Sequence, residues 1–350
     1  MRYFRKKIES MSGYIPGEQM PGAKVIKLNT NENPYPPSPT ATAILRNIDT
    51  ECLRRYPDPF SGRVRHAVSR VFGVPEDWVI VGNGSDEILS ILLRACCEPR
   101  RAAAYAMPTY VLYRTLAEIQ GARYIEVPYD EDYRLPVEGL IAARGALTIV
   151  CSPNSPSGTP VSREDLERLS ASVAGLLVVD EAYVDFAEEN ALELVESNKN
   201  IIILRTLSKG YSLAGLRLGF GIAQPPIIEN LMKIKDSYNV DALSCLIGAA
   251  AIEDQTYKEE TAERVKASRK NLSATLENLG FRVWPSQANF VLTRPPMGDA
   301  ERIYLALKAE GILVRYFKQP RLEDKLRITV GTEEENSTLI QALTRLTAVG

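Results

Sequence analysis

Histidine is almost absent from this chain of 350 residues: His66 is the only one. It falls in the helical-looking stretch Gly62-Arg-Val-Arg-His-Ala-Val-Ser-Arg-Val-Phe, where a surface or half-buried role is expected. A Ser-His-Asp hydrolase and a multi-histidine zinc site are thereby excluded. Cysteine is sparse and odd in number; Cys52, Cys96, Cys97, Cys151 and Cys245 show no ligand-like spacing and read as reduced core thiols. Excess charge is missing as well, since 42 Lys and Arg face 44 Asp and Glu for a net charge of −2. The basic residues are scattered, so no stripe exists to follow a phosphate backbone and nucleic acid is not an expected partner. No apolar run approaches bilayer length, and the first residues, Met1-Arg-Tyr-Phe-Arg-Lys-Lys-Ile-Glu, lack a signal-peptide apolar core. The expectation is a cytoplasmic protein with no membrane partner. Short repeats and low-complexity tracts are lacking too.

What is present is an alternation of short apolar runs with helical patterns. Asn31-Glu-Asn-Pro-Tyr-Pro-Pro-Ser-Pro is dense in turn formers and predicts an extended, irregular arm over residues 1–35. Strand-like runs follow at Arg101-Ala-Ala-Ala-Tyr-Ala, Tyr124-Ile-Glu-Val, Leu147-Thr-Ile-Val-Cys, Leu176-Leu-Val-Val, Ile201-Ile-Ile-Leu-Arg and Leu218-Gly-Phe-Gly-Ile. Continuous apolar strands separated by crossover-length segments predict an α/β fold, a three-layer α/β/α domain with a mostly parallel sheet, over residues 36–254. From about residue 255 a charged helix (Lys258 to Leu279) precedes short strands at Phe281-Arg-Val-Trp, Asn289-Phe-Val-Leu, Ile312-Leu-Val-Arg and Leu326-Arg-Ile-Thr. A smaller α+β domain over 255–350 is expected there, with the arm packing near it.

In parallel α/β domains, ligands bind beyond the carboxyl ends of the strands. Asp180 ends Leu176-Leu-Val-Val-Asp, Lys209 follows Arg205-Thr-Leu-Ser, and the turn-rich loop Cys151-Ser-Pro-Asn-Ser-Pro-Ser-Gly-Thr-Pro follows a third strand. Val81-Gly-Asn-Gly-Ser-Asp-Glu-Ile-Leu runs from a glycine-rich loop into a helix, whose unpaired N–H groups suit a phosphate. Singly, each has another reading: Asp180 a helix cap, Lys209 a solvated loop lysine, the Gly82 loop a plain turn, Arg217 a surface residue. Together they supply the groups that pyridoxal phosphate needs: a lysine to hold it covalently, an acid for its ring nitrogen, donors for its phenolate and a phosphate cup.

The chain resembles the fold-type-I pyridoxal-phosphate aminotransferases, and within them the histidinol-phosphate aminotransferase family. The resemblance runs from Leu28-Asn-Thr-Asn-Glu-Asn-Pro-Tyr to Leu326-Arg-Ile-Thr-Val-Gly-Thr. It is most specific at Arg205-Thr-Leu-Ser-Lys-Gly-Tyr-Ser-Leu-Ala-Gly-Leu-Arg-Leu-Gly-Phe and at Val179-Asp-Glu-Ala-Tyr. It implies pyridoxal 5′-phosphate carried on Lys209, Asp180 on the pyridine nitrogen, and Tyr183 and Asn154 on the phenolate oxygen. Tyr110 would stack on the ring. Backbone N–H groups around Ser85 and Asp86, with Ser208, Thr206 and Arg217, would hold the phosphate. Tyr56 would reach the cofactor of a second subunit, so a homodimer is implied.

Amino transfer from a small-molecule donor to a keto-acid acceptor is the implied reaction, with Lys209 as proton carrier. Arg327 matches the family's carboxylate-binding arginine, and Arg315 and Tyr14 match positions lining the substrate pocket. The substrate implied is histidinol phosphate, with 2-oxoglutarate as acceptor, in histidine biosynthesis. Gly17-Glu-Gln-Met-Pro-Gly and Ser152-Pro-Asn-Ser-Pro-Ser-Gly depart from the usual pattern and bear on the substrate, not on the cofactor chemistry. An aromatic amino-acid aminotransferase or a phosphothreonine-type decarboxylase shares the same cofactor site. From another class, a nucleotide-binding α/β module lacks its Walker lysine or Gly-x-Gly-x-x-Gly loop, and a catalytically silent relative is disfavoured by the presence of Lys209, Asp180 and Arg327.

Overall fold

Isolated apolar strands leave their backbone polar groups unpaired, and burial forces these groups into a ladder. The computed structural model describes residues 3–13, 17–19 and 25–348. Its strands are β1 (Ile26–Leu28), β2 (Val79–Gly82), β3 (Ala103–Met107), β4 (Tyr124–Pro128), β5 (Leu147–Cys151), β6 (Leu176–Asp180), β7 (Ile201–Thr206), β8 (Gly219–Ala223), β9 (Arg282–Val283), β10 (Phe290–Arg294), β11 (Ile312–Tyr316) and β12 (Leu326–Thr329). The larger sheet has the order β2-β8-β7-β6-β5-β3-β4. Only β8 runs against its neighbours β2 and β7. The connection from Leu207 to Leu218 carries Lys209 and no α-helix, so the chain doubles back instead of crossing over.

Both faces of this sheet are covered. Ile201 and Ile203 of β7 enter one apolar cluster with helices Gly62–Phe72 and Ala242–Glu253, whereas Ile202 and Leu204 enter the other. That second cluster holds α1 (Ser85–Cys96) and α2 (Leu112–Gln120). The period of two, with apolar residues at both phases, is what a sheet buried on two sides requires.

The smaller sheet has the order β1-β11-β12-β10-β9 and is antiparallel apart from β1, which pairs parallel to β11. The arm, expected to be irregular, thus contributes an edge strand, with Leu28 in the apolar cluster of this sheet. The charged helix is α3 (Gln255–Asn278), three residues earlier at its start than the sequence pattern suggests. Strand β2 is not among the runs expected from the sequence, because Val79-Ile-Val-Gly is too short to show a period, and it takes in Val81 and Gly82 from the start of the glycine-rich loop. His66 is exposed and meets Glu76 at 2.9 Å. Cys97, Cys151 and Cys245 are buried, while Cys52 and Cys96 are only partly so, which corrects the expectation of core thiols at those two positions.

Behind the carboxyl ends of β6 and β7 lies a buried ion pair. Arg205 Nε donates to Glu181 Oε2 at 2.8 Å, and Glu181 Oε1 accepts from the Ala191 N–H. Arg205→Met would leave that carboxylate buried without its cation, at a cost of about 3–5 kcal/mol. Urea unfolding of the full chain measures it, and a loss within the range of an exposed pair, under about 1 kcal/mol, would refute the expectation.

Candidate active site

The carboxyl ends of β5, β6 and β7 meet the smaller sheet around a cavity of about 690 Å³. Asp180, Lys209 and Arg217 line it from the larger sheet, Arg315 and Arg327 from the smaller one, and Asn31 from the arm. Asn31 and Arg217 have φ of 57° and 56°, a left-handed conformation that costs energy in residues bearing a side chain and clusters at functional sites.

Two ionisable groups sit here against their own solvation. Lys209 Nζ donates to Thr30 O at 3.1 Å and lies 5.8 Å from the centroid of the Tyr183 ring. Burial, then the charge of Arg327, lower its pKa to about 8, with Glu32 and Asp86 opposing. Burial raises Asp180 to about 6, although the Tyr113 hydroxyl and the Ala182 N–H, at 2.6 and 3.2 Å, favour its carboxylate. Burial likewise raises Tyr183, whose hydroxyl accepts from Asn31 Nδ2 at 2.9 Å.

At the other end of the cavity, Gly84 precedes the first turn of α1, and among the described residues no side chain caps its free N–H groups. A Cβ on Gly84, where φ is +76°, would lie 2.7 Å from Arg217 Nη2, and one on Gly219 would lie 2.4 Å from the Ser85 backbone nitrogen. Glycine at both places lets a helix N-terminus, a serine and an arginine close on one hollow. Ser208 Oγ accepts from Arg217 Nη1 at 3.2 Å and from Thr206 Oγ1 at 3.0 Å, so Thr206 orients Ser208. The Asp86 carboxylate accepts from Tyr110 Oη and Arg217 Nη2, each at 3.4 Å, and burial raises its pKa. Its side chain therefore anchors the tyrosine and the arginine.

Antiparallel register sets Arg315 of β11 opposite Arg327 of β12. Arg327 donates to Ser155 Oγ at 2.9 Å and Asn29 O at 3.1 Å, and both guanidiniums lie against the Phe317 ring, at 5.4 Å for Arg315 and 5.6 Å for Arg327. Like charges directly opposite on a sheet repel, and a bound anion relieves that repulsion.

Of the residues singled out in the sequence, Ser85, Asp86, Tyr110, Asp180, Tyr183, Thr206, Ser208, Lys209, Arg217, Arg315 and Arg327 share the cavity lining. Asn154 does not: it is fully buried, and its amide hydrogens go to Pro108 O and Ser157 Oγ. Tyr56 is also outside, 82% exposed and stacked on Tyr238 with ring centroids 4.6 Å apart. Tyr14 lies outside the described residues. Sequence reasoning missed Thr30, Asn31, Ser155, Phe317 and Tyr113. Tyr113 follows Tyr110 by three residues, a spacing that by itself does not tell a site residue from a packed one.

The family profile described as aminotransferase class I and II matches residues 23–343. Histidinol-phosphate aminotransferase 1 from Nostoc sp. is 61% identical over 97% of each chain. The histidinol-phosphate aminotransferase from Rhodopirellula baltica is 46% identical over 95% of this chain and 92% of its own. Among solved structures, the histidinol-phosphate aminotransferase from Sinorhizobium meliloti in complex with pyridoxal-5′-phosphate superposes with a TM-score of 0.92 at 26% identity, covering 100% of this chain and 98% of its own. Strand order, a lysine and an acid at strand ends, and sequence identity along almost the whole length lead to one assignment: the chain belongs to the class I and II aminotransferases, in the histidinol-phosphate aminotransferase family.

Proposed function

We propose that this chain holds pyridoxal 5′-phosphate on Lys209 and transfers an amino group from histidinol phosphate to 2-oxoglutarate, in histidine biosynthesis. The observation that carries the reading is the 61% identity, over 97% of both chains, to a histidinol-phosphate aminotransferase. The cavity fits the cofactor. Among the described residues Asp180 takes hydrogen bonds from neutral donors, Tyr113 and the Ala182 N–H, so a cationic ring nitrogen would supply a partner for its charge. The uncapped start of α1, with Ser85, Ser208 and Arg217, suits a phosphate.

When bound, pyridoxal 5′-phosphate supplies a protonated pyridine ring that takes up the electrons of the C–H bond broken beside the transferred amine. Asp180 keeps that nitrogen protonated, because a carboxylate beside it raises its pKa. Lys209 Nζ is the base at the substrate carbon, and a pKa of about 8 leaves part of it neutral near pH 7. Tyr183 donates to the phenolate oxygen, while Asn154 joins it only by releasing Pro108 O or Ser157 Oγ. Tyr110 stacks on the ring. Arg327 takes the carboxylate of the amino-acid partner and Arg315 the distal phosphate, each able to give two parallel charge-assisted bonds.

A homodimer is part of the reading. Leu45, Leu53, Tyr56 and Phe60 are exposed large apolar side chains within one stretch of sixteen residues, suited to a second copy whose cofactor Tyr56 would reach. The chain divides into an arm (1–35), a large domain (36–254) and a small domain (255–350), as the two sheets and their clusters support. The reaction is assigned to the cytoplasm, where charged substrates are retained. No helix among the described residues is long and apolar enough to cross a membrane.

A half-reaction screen of amino donors, followed by cofactor absorbance, tests the assignment: histidinol phosphate must outrun aromatic amino acids, and the reverse order overturns it. Lys209→Ala should fold, as judged by circular dichroism, and show no turnover; turnover near the parent's would remove Lys209 from the mechanism.

Arg315→Ala should slow the histidinol-phosphate half-reaction about ten- to a hundred-fold, the range of a lost charged hydrogen bond. An aromatic donor, with no anion to lose, should change little. Equal losses for both donors would reduce Arg315 to an architectural part.

Asp180 also links function to stability. Its folded pKa of about 6 exceeds the ordinary 3.8, so the folded state keeps a proton that the unfolded chain loses as pH rises from 4 to 6. Stability falls across that window, and above it the buried carboxylate costs on the order of 2–3 kcal/mol. Asp180→Asn should therefore raise the urea midpoint of the cofactor-free chain at pH 7.5 and change it little at pH 4, while most activity is lost. A lower midpoint at pH 7.5 would contradict this.

A further inference from the structure

Asp180 is fully buried, and the groups that face it are mostly unfavourable to its charge. Asp86 from α1 and Glu181 from its own loop carry like charge, and Cys151 from β5 packs as a neutral thiol whose pKa burial raises. Among the described residues, two neighbours donate to the carboxylate, the Ala182 N–H at 3.2 Å to Oδ1 and the Tyr113 hydroxyl at 2.6 Å to Oδ2. The second is the shorter by far.

We propose that Tyr113 is a positioning residue for Asp180: its phenol O–H, donated to Oδ2, fixes the rotation of the carboxylate and keeps it ionised. The inference rests on the reading of Asp180 as the acid beside the ring nitrogen. Tyr113 has no exposed surface and is not part of the cavity lining, so its effect on the site passes through the side chains it touches, of which Asp180 faces the cavity. Its ring is held edge-on between Tyr105 and Tyr110, with centroids 5.9 and 5.7 Å away, which places the phenol oxygen between the Asp180 carboxylate and the neutral Cys151 thiol. Tyr105 is itself tied by its hydroxyl to Glu126 at 3.0 Å. The proton stays on the tyrosine, because burial and the adjacent Asp180 carboxylate both raise the phenol's pKa well above its ordinary value. A carboxylate has about four acceptor positions, and Tyr113 and Ala182 occupy two, so capacity remains for a donor in the cavity.

Packing alone would need only a phenyl ring at this position. The hydroxyl adds a charge-assisted bond of the strong O–H···O⁻ kind. Without it, Asp180 would take a proton near neutral pH and could no longer hold one on a neighbouring nitrogen.

The test is a titration of the full-length chain carrying ¹³C-labelled aspartate, with the Asp180 resonance assigned by its disappearance in Asp180→Asn. In Tyr113→Phe the Asp180 midpoint should rise by about one pH unit or more, which is about tenfold more acid form relative to carboxylate at pH 7. In the cofactor-loaded variant kcat should fall with KM little changed, and the pH profile of kcat should move in the same direction. An unmoved Asp180 midpoint in a folded Tyr113→Phe overturns the proposal. Should that variant not fold, fluorotyrosine placed at position 113 alone gives a stronger donor of nearly the same shape. It must lower the midpoint, and an unmoved or raised one overturns the proposal. The underlying reading fails separately: Asp180→Asn that binds pyridoxal 5′-phosphate and turns over like the parent would remove Asp180 from the mechanism, while the effect of Tyr113 on its titration would stand.

Discussion

Burial of two groups that prefer to be charged in water is the constraint around which the rest of this protein is arranged. Lys209 and Asp180 each lose solvation at the carboxyl end of the larger sheet, and each shifts toward its neutral form in consequence. For Lys209 that shift is useful, since a base must be neutral to accept a proton. For Asp180 it is adverse, since a carboxylate must be charged to hold a neighbouring cation. The same physical term thus acts in opposite senses on the two, and the structure treats them differently. Lys209 is left with one backbone carbonyl, whereas Asp180 receives a backbone N–H and a short phenol bond. Neither could be held this way on a flexible loop. Asp180 ends β6 and Lys209 comes three residues after β7, strands whose apolar residues face two clusters, so packing on both sides fixes the backbone from which each is presented.

The smaller sheet supplies what the larger one lacks, a site for anions. Arg315 and Arg327 stand opposite each other because β11 and β12 pair in antiparallel register, and a slip of one residue would turn both to the other face. Phe317 lies against both guanidiniums and separates part of their charge from solvent. The arm closes the construction. Strand β1 extends the smaller sheet, and the turn after it brings Thr30 to Lys209 and Asn31 to Tyr183. Arm, larger sheet and smaller sheet therefore meet at the same two side chains.

Much of this was legible in the sequence, and the reason is local. A buried parallel strand writes itself as a run of apolar residues, so a polar residue at its end, such as Asp180 or Lys209, stands out without knowledge of the fold. The two sheets and the long charged helix were readable on the same grounds. What depends on long-range pairing was not. Nothing in Ile26-Lys-Leu tells that it will join a sheet whose other strands lie more than 250 residues away, and nothing near Arg315 or Arg327 tells that they face each other. Asn154 was matched by its segment, but its side chain turns to Pro108 and Ser157. Tyr113 was hidden for a different reason: a buried tyrosine in an amphipathic helix looks the same whether its hydroxyl meets a carboxylate or a backbone oxygen.

The division of labour follows from distance. Reactions that move a proton at one carbon need a base and an electron acceptor with opposite protonation requirements in the same dry cavity. Lys209 and Asp180, carried past or at the ends of adjacent strands, line one cavity; placing the anion-binding arginines on a separate sheet makes substrate recognition adjustable without disturbing the acid and the base. The two sheets impose different demands. The larger sheet must keep a lysine and an acid at fixed protonation, and the smaller one need only present charge of the right sign at the right separation. Tyr113 belongs to the first demand although it lies on a helix and not on a strand. An acid held by neutral donors alone stays ready for a cationic partner, whereas one paired with an internal arginine, as Glu181 is with Arg205, has already spent its charge.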